Sequence, residues 1–294
     1  MRWSSVVAVG GIMGLFDAAW LPAQLDYSPR IEQWRLRHEA ELKAEDSWLA
    51  VAGLFWLKDG GNPAGSDPAN SIELPRGPAR AGVFDFRNGV TTFQAAPGVV
   101  ALLNGKVARS PFQLKSDADG PADRLQIAGL SISVIHRGNR HGVRLWDPAS
   151  SARQHFNGLH WFPVNEKYRL TARFVAYEKP KMIPITNVLG DTEPEASPGY
   201  VEFTLDGQRL RLEPVTEDQQ LFFIFHDLTA GRETYPAGRF LYASAPKNGE
   251  VQLDFNKAEN PPCAFTAYAT CPLPPKQNHL AVRIAAGELN YGER

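Results

Sequence analysis

The stretch Val99–Val107, VVALLNGKV, sets two short apolar runs on either side of Asn104-Gly105. Asn and Gly both tolerate positive φ, so the pair predicts a tight hairpin turn. The same grammar extends in both directions. "NSIEL", "GVFDF" and "GVTTFQ" come before it, and "LQIAGLSISVIHRG" and "HGVRLWD" after it, each a strand-like run bounded by turn residues. Short strands at regular spacing predict a β-sandwich or barrel over residues 51–150. "WLAVAGLFWL", at the head of this region, is apolar throughout and reads as a buried strand.

Upstream the period changes. In "DYSPRIEQWRLRHEAELKAEDSW", Ile31, Trp34, His38 and Leu42 recur every three to four residues, which predicts a helix within residues 24–50. Ser28 is placed to cap it and Pro29 to occupy its first turn. Downstream, residues 151–294 read as a second β-rich region with longer strands. "PGYVEFTLDGQRLRLEPV" predicts a hairpin turning at Asp206-Gly207, and "QQLFFIFHDLTAGRETYPAGRFLYASAP" a buried strand, a loop and a second strand. The expected fold is mainly β: one N-terminal helix, a sandwich, and a β-rich C-terminal region packed on it.

Bulk composition agrees. Of 294 residues, 43% are hydrophobic and 21% charged, enough to bury a core. A formal net charge of -1 gives no bulk attraction for nucleic acid or an anionic membrane. Residues 1–23 carry Arg2, an apolar run from Val6 to Phe16 and small residues at Ala18, Ala19 and Ala23, the pattern of a secretory signal peptide. That leader predicts a periplasmic or secreted protein, and a cytoplasmic one if it is not a signal. No later segment reaches the roughly 18 apolar residues of a membrane span.

Two resemblances follow. "GGNPAGSDPANSIELP", "ARAGVFDFRNGVTTF", "LLNGKV" and "LQIAGLSISVI" resemble the strand and turn order of a forkhead-associated domain. The phosphothreonine-reading residues of that family are missing. Ser66 stands where an arginine is expected, and Arg80-Ala81-Gly82 where a serine and histidine would lie. The resemblance therefore implies the scaffold without phosphopeptide binding. "RGNRHGVRLWDPASSARQHFNGLHWFPV", "FHDLTAGRETYPAGRFLYA" and "LDFNKAENPPCAFTAYATCPLPPKQNHLAVRIAAGE" resemble domain-of-unknown-function family 1684, from about Tyr27 to Glu288. This likeness implies architecture and a site, but no reaction.

Polar residues concentrate in those C-terminal motifs. Asp227, Asp254 and Glu288 are the candidate acids and bases, since carboxylates in different surroundings can divide the two roles. Arg144 and Arg239 are candidates to hold an anionic group, with His226, Tyr235, Asn256 and Asn260 orienting it. Alternation along a strand would put Asp254 and Asn256 on one face. The competing reading is a buried polar network that pins strands and loops together.

Cys263 and Cys271, the only two cysteines, lie between prolines in "NPPCAFTAYATCPLPP". Their spacing is too wide for a common zinc knuckle and lacks the context of a redox Cys-x-x-Cys. In an exported protein they would pair as a disulfide, and in a cytosolic one they would remain two buried thiols. Asp117, Asp119 and Asp123 in "SDADGPAD" lack the glutamate of a calcium loop and read as a solvated turn. No metal and no organic cofactor is expected, because no P-loop, dinucleotide-binding glycine pattern or Gly-x-Ser-x-Gly elbow occurs. The expected function is an extracytoplasmic protein with a polar small-molecule pocket, with hydrolysis the least strained enzymatic reading. The alternative is a non-catalytic envelope protein that meets a partner through its sandwich.

Overall fold

The computed structural model describes residues 26–292; the leader expected at residues 1–23 lies outside them. Helix α1 (Tyr27–Leu42) opens the fold. Its N-cap is Asp26 rather than Ser28, and no side chain caps it. Ser28 and Pro29 fall in the first turn, where proline's missing N–H has no partner to lose. Tyr27, Ile31, Arg35 and Leu42 form its buried stripe.

The first half runs β1 (Val51–Trp56), β2 (Gly60–Gly65), β3 (Ile72–Glu73), β4 (Gly82–Arg87), β5 (Val90–Ala95), β6 (Leu102–Leu103), β7 (Lys106–Val107), β8 (Phe112–Leu114), β9 (Leu125–Ile127), β10 (Leu130–Arg137) and β11 (Arg140–Trp146). These make two sheets, ordered β1-β11-β10-β9-β6-β7 and β3-β2-β4-β5-β8. Phe84, Phe93 and Leu114 from one sheet share a core with Ile132, Val134, Val143 and Leu145 from the other. The sandwich expected for this region is therefore present. Asn104 and Gly105 sit at φ 50 and 79, as the hairpin between β6 and β7 demands.

The second half runs β12 (Arg169–Thr186), β13 (Thr192–Leu205), β14 (Gln208–Leu212), β15 (Val215–Glu217), β16 (Gln220–Phe225), β17 (Arg239–Ala243) and β18 (Glu250–Asp254). Its sheets are ordered β14-β13-β12-β18 and β15-β16-β17. Alternation along β16 splits its side chains. Leu221, Phe223 and Phe225 enter the main core with Phe203, Leu253, Phe255 and Ile284, whereas Phe222 and Ile224 face the other way with Ile183, Ile185 and Phe240. The ends of β12 and β13 form an arm that reaches the first half. There Arg140 pairs with Asp191, and the Gly138 N–H donates to Glu193 at 2.9 Å. Among the described residues no helix is long and apolar enough to cross a membrane.

Candidate functional site

The structure divides the expected site residues among several places. Asp227 and Arg239 are each 1% exposed and pair at 3.1 Å. Asp227 also accepts from the Thr229 hydroxyl at 2.8 Å and from the Ile284 N–H at 2.7 Å. Arg239 donates to the carbonyls of Ile284 and Ala286. The pair thus ties β17 and the loop after β16 to the C-terminal segment, away from solvent. Burial pulls the Arg239 pKa down while Asp227 supports its charge.

The amides are internal ties as well. Asn256 follows β18 within a 3-10 turn, Phe255–Lys257, so it does not continue a strand face with Asp254. Its amide spans both backbone groups of Asn165 at 2.9 Å and donates to the Tyr27 hydroxyl at 2.8 Å. Tyr27 in turn donates to Asp254 at 2.7 Å, which fixes the start of α1. Asn260 donates to the Leu289 carbonyl at 2.8 Å. Asn278 accepts from the Glu213 N–H at 2.8 Å and donates to the carbonyls of Glu213 and Ile224, both at 2.9 Å. Asn278→Ala would strand three buried backbone groups. We expect it to lower unfolding free energy by about 2 kcal/mol in a urea titration.

His226 stacks on His279 with ring centroids 5.0 Å apart, and Tyr235 donates to the Cys263 carbonyl at 3.2 Å. The expected Cys263–Cys271 disulfide is not formed, and both thiols are free. The geometric reason is the approach: the Cys271 Sγ sits 3.1 Å from the Cys263 backbone N, as a hydrogen-bond acceptor. In "SDADGPAD", Asp117 receives the His136 N–H and Arg137, while Asp123 receives Asn104 and the Lys115 N–H, so both carboxylates serve the turn.

Glu288 alone of the three candidate acids joins a titratable cluster. It is fully buried and accepts the Asn260 N–H at 2.9 Å, while its other oxygen lies 2.8 Å from Nε2 of His38. The His38 Nδ1 faces Glu259 at 3.6 Å. His38 and Glu259 are each about a fifth exposed. Burial pushes the Glu259 carboxyl up to about 7, reinforced by Glu288, Glu41 and Glu217 and opposed by His38. Burial works against a His38 imidazolium, but Glu288, Glu259 and Glu41 outweigh it and raise its pKa. Trp34 stacks on His38 at 5.1 Å, and Trp161 meets both rings edge-on. Sequence reading missed His38 and Glu259 as site residues. His38 belongs to the helix stripe, and its spacing there is that of a packing residue.

Glu259 extends a sheet face that floors a cleft. It bridges Phe240 of β17, and residues paired across antiparallel strands project to the same side. Phe240, Tyr242, Phe222, Ile224, Val215 and Glu217 share that side by register. Over it lies a cleft of about 420 Å³ walled by the β12–β13 arm, Arg137, Thr270 and Pro272. Tyr242 stacks on Phe222 at 4.7 Å and donates to Glu217 at 3.3 Å. Burial, with neighbouring carboxylates, raises the pKa of both Glu195 and Glu217 in this cleft. The cleft has a floor of Val215, Phe222 and Ile224 and polar walls, and Glu259, a carboxyl that can exchange a proton near neutrality, lies on the same sheet face beyond its lining.

Residues 154–289, about half of the chain, match the family described as "Protein of unknown function (DUF1684)". The match begins well beyond Tyr27, so it is shorter than the resemblance read from sequence. The solution NMR structure of an uncharacterized protein from Haloarcula marismortui is 32% identical, with 47% of this chain and 78% of that chain covered and a TM-score of 0.40. No curated protein matches.

Proposed function

We propose that this chain binds a small molecule in the cleft over β15 and β16, and that Glu259, on the same sheet face, supplies with His38 acid–base chemistry of a hydrolytic kind. One observation carries the reading. A partly exposed carboxyl held near pKa 7 faces an imidazole that a buried carboxylate orients. Groups tuned toward neutrality and reachable by solvent are candidates for acid–base chemistry. In this scheme Glu259 takes a proton from water as it attacks the substrate, and His38 gives one to the leaving group. Glu288 holds the ring and supports its charge. An extracytoplasmic location and a sandwich of forkhead-associated type belong to the same proposal, the first resting on the leader and the second on the turns.

A binding role without catalysis is the second reading. It draws support from Asp227, Arg239, Asn256 and Asn278, which are spent as internal ties. A thermal-shift screen of metabolites and sugars separates the readings, because a ligand at a hundred times its Kd adds about 2.7 kcal/mol to the native state. We expect a ligand that stabilises the parent but not a folded Glu217→Ala, a variant in the cleft lining. Turnover of that ligand, lost in Glu259→Gln, supports hydrolysis; binding without turnover across pH 5–9 supports the second reading. Equal stabilisation of parent and Glu217→Ala sinks the cleft.

A further inference from the structure

We infer that Cys263 and Cys271 form a peroxide-reactive dithiol site in which Cys263 attacks, Cys271 resolves, and the buried Arg144 guanidinium supports the thiolate. The site is separate from the acid–base cluster at His38.

Three observations carry this. First, the thiols are neighbours with unequal access: Cys271 is 5% exposed, Cys263 is half-buried, and the Cys263 N–H reaches the Cys271 Sγ at 3.1 Å. Second, Arg144 makes no direct ion pair. It is 4% exposed, its Nε has no partner, and no carboxylate pairs with it among the described residues. Its side-chain hydrogen bond goes to the Thr270 hydroxyl at 3.4 Å, next in sequence to Cys271. Third, Arg137 donates to that same hydroxyl at 3.0 Å, so two guanidiniums converge there, and Asp117 makes its direct ion pair with Arg137, reaching Arg144 only at longer range. A buried cation without a carboxylate is costly unless an anion forms beside it. A Cys263 thiolate adds such an anion to the longer-range support that Asp117 gives.

The pKa directions agree. The Cys263 thiol is lowered, chiefly by the hydrogen bond from Cys271 and against burial, with Arg144 adding to the effect. The Cys271 thiol is raised by its bond to Cys263 and by burial. Of the two thiol protons the first leaves easily, and the one that remains, shared by both sulfurs, leaves with difficulty. The more exposed sulfur carries the charge and meets reagents first.

The chemistry balances with a hydroperoxide as oxidant. The Cys263 thiolate attacks the outer oxygen, the S–O bond forms, and the O–O bond breaks to release alkoxide or hydroxide, which takes a proton from water. The Cys271 thiol then loses its proton and attacks the sulfenic sulfur. The S–S bond forms, the S–O bond breaks, and water leaves with that proton. Two sulfurs are oxidised and one peroxide bond is reduced.

The test uses the full reduced chain. At pH 7 we expect iodoacetamide to alkylate Cys263 about fivefold to tenfold faster in the folded protein than in the urea-unfolded chain. One equivalent of hydrogen peroxide should remove two hydrogens from the parent by mass. In Cys271→Ser it should yield a dimedone adduct at Cys263. Arg144→Gln should slow alkylation severalfold at an unchanged circular dichroism spectrum; should that variant unfold, Thr270→Val and Arg144→Lys carry the same comparison. Alkylation of Cys263 no faster than in urea, or a first adduct on Cys271, overturns the proposal.

Discussion

Asp227→Ala should lower the unfolding free energy by about 3–5 kcal/mol, the cost of leaving a buried charge without its partner. The residue left behind would be Arg239, 1% exposed, whose remaining donors reach only Thr229 and the Ile284 and Ala286 carbonyls. The Ile284 N–H and Thr229 hydroxyl would lose their acceptor as well. Urea unfolding followed by circular dichroism measures the loss. The double variant Asp227→Leu/Arg239→Met removes both charges, and should recover part of that loss. A single variant within 1 kcal/mol of the parent would show that the pair does not hold the C-terminal segment in place.

The second large effect is a pH dependence. Glu259 has its pKa raised from the ordinary carboxyl value to about 7. Between about pH 4.5 and 7 the folded protein therefore keeps a proton that the unfolded chain has released. This contribution is full below the unfolded pKa and is lost as pH rises through the folded one. At ~1.4 kcal/mol per unit, the loss is roughly 3 kcal/mol at most. His38, also raised, acts in the same direction, its part being lost as pH rises through its own raised pKa. Stability of the parent should fall between pH 5 and pH 8. In Glu259→Gln the fall should be smaller by about 2–3 kcal/mol, as urea unfolding at the two pH values would show. Equal slopes in parent and variant would mean that Glu259 is not held protonated.

Local chemistry was readable from sequence, and chemistry built by distant contacts was not. Asn104-Gly105 and Asp206-Gly207 turn where expected because their positive φ is a property of those residues. The segment Gly60–Gly65 reads as a turn by composition, yet forms β2, pairing with β3 and β4. There Asn62 supplies the local order, bonding Lys58, Gly60 and the Phe84 carbonyl. Strand β12 runs through Pro180 and Pro184, with a register shift between Ala176 and Lys181. Bulges accommodate what a regular ladder rejects. At the candidate site, Glu288 stood out among C-terminal polar residues. Its partner His38 arrives from a helix at the other end of the chain, and no local pattern announces that meeting.

The closing segment of the second half has a consequence for how the protein is made. Leu280 and the backbone of Asn278 flank His226, the Leu228 N–H reaches the Val282 carbonyl, and the Phe162 N–H reaches the Gly287 carbonyl. The first sandwich finds all its ladders within residues 51–146 and can form while translation continues. The second half remains unsealed, with β16 and β17 lacking a cover, until the stretch around 278–289 has left the ribosome. Nascent chains stalled before that point should therefore be the ones that chaperones hold and proteases cut.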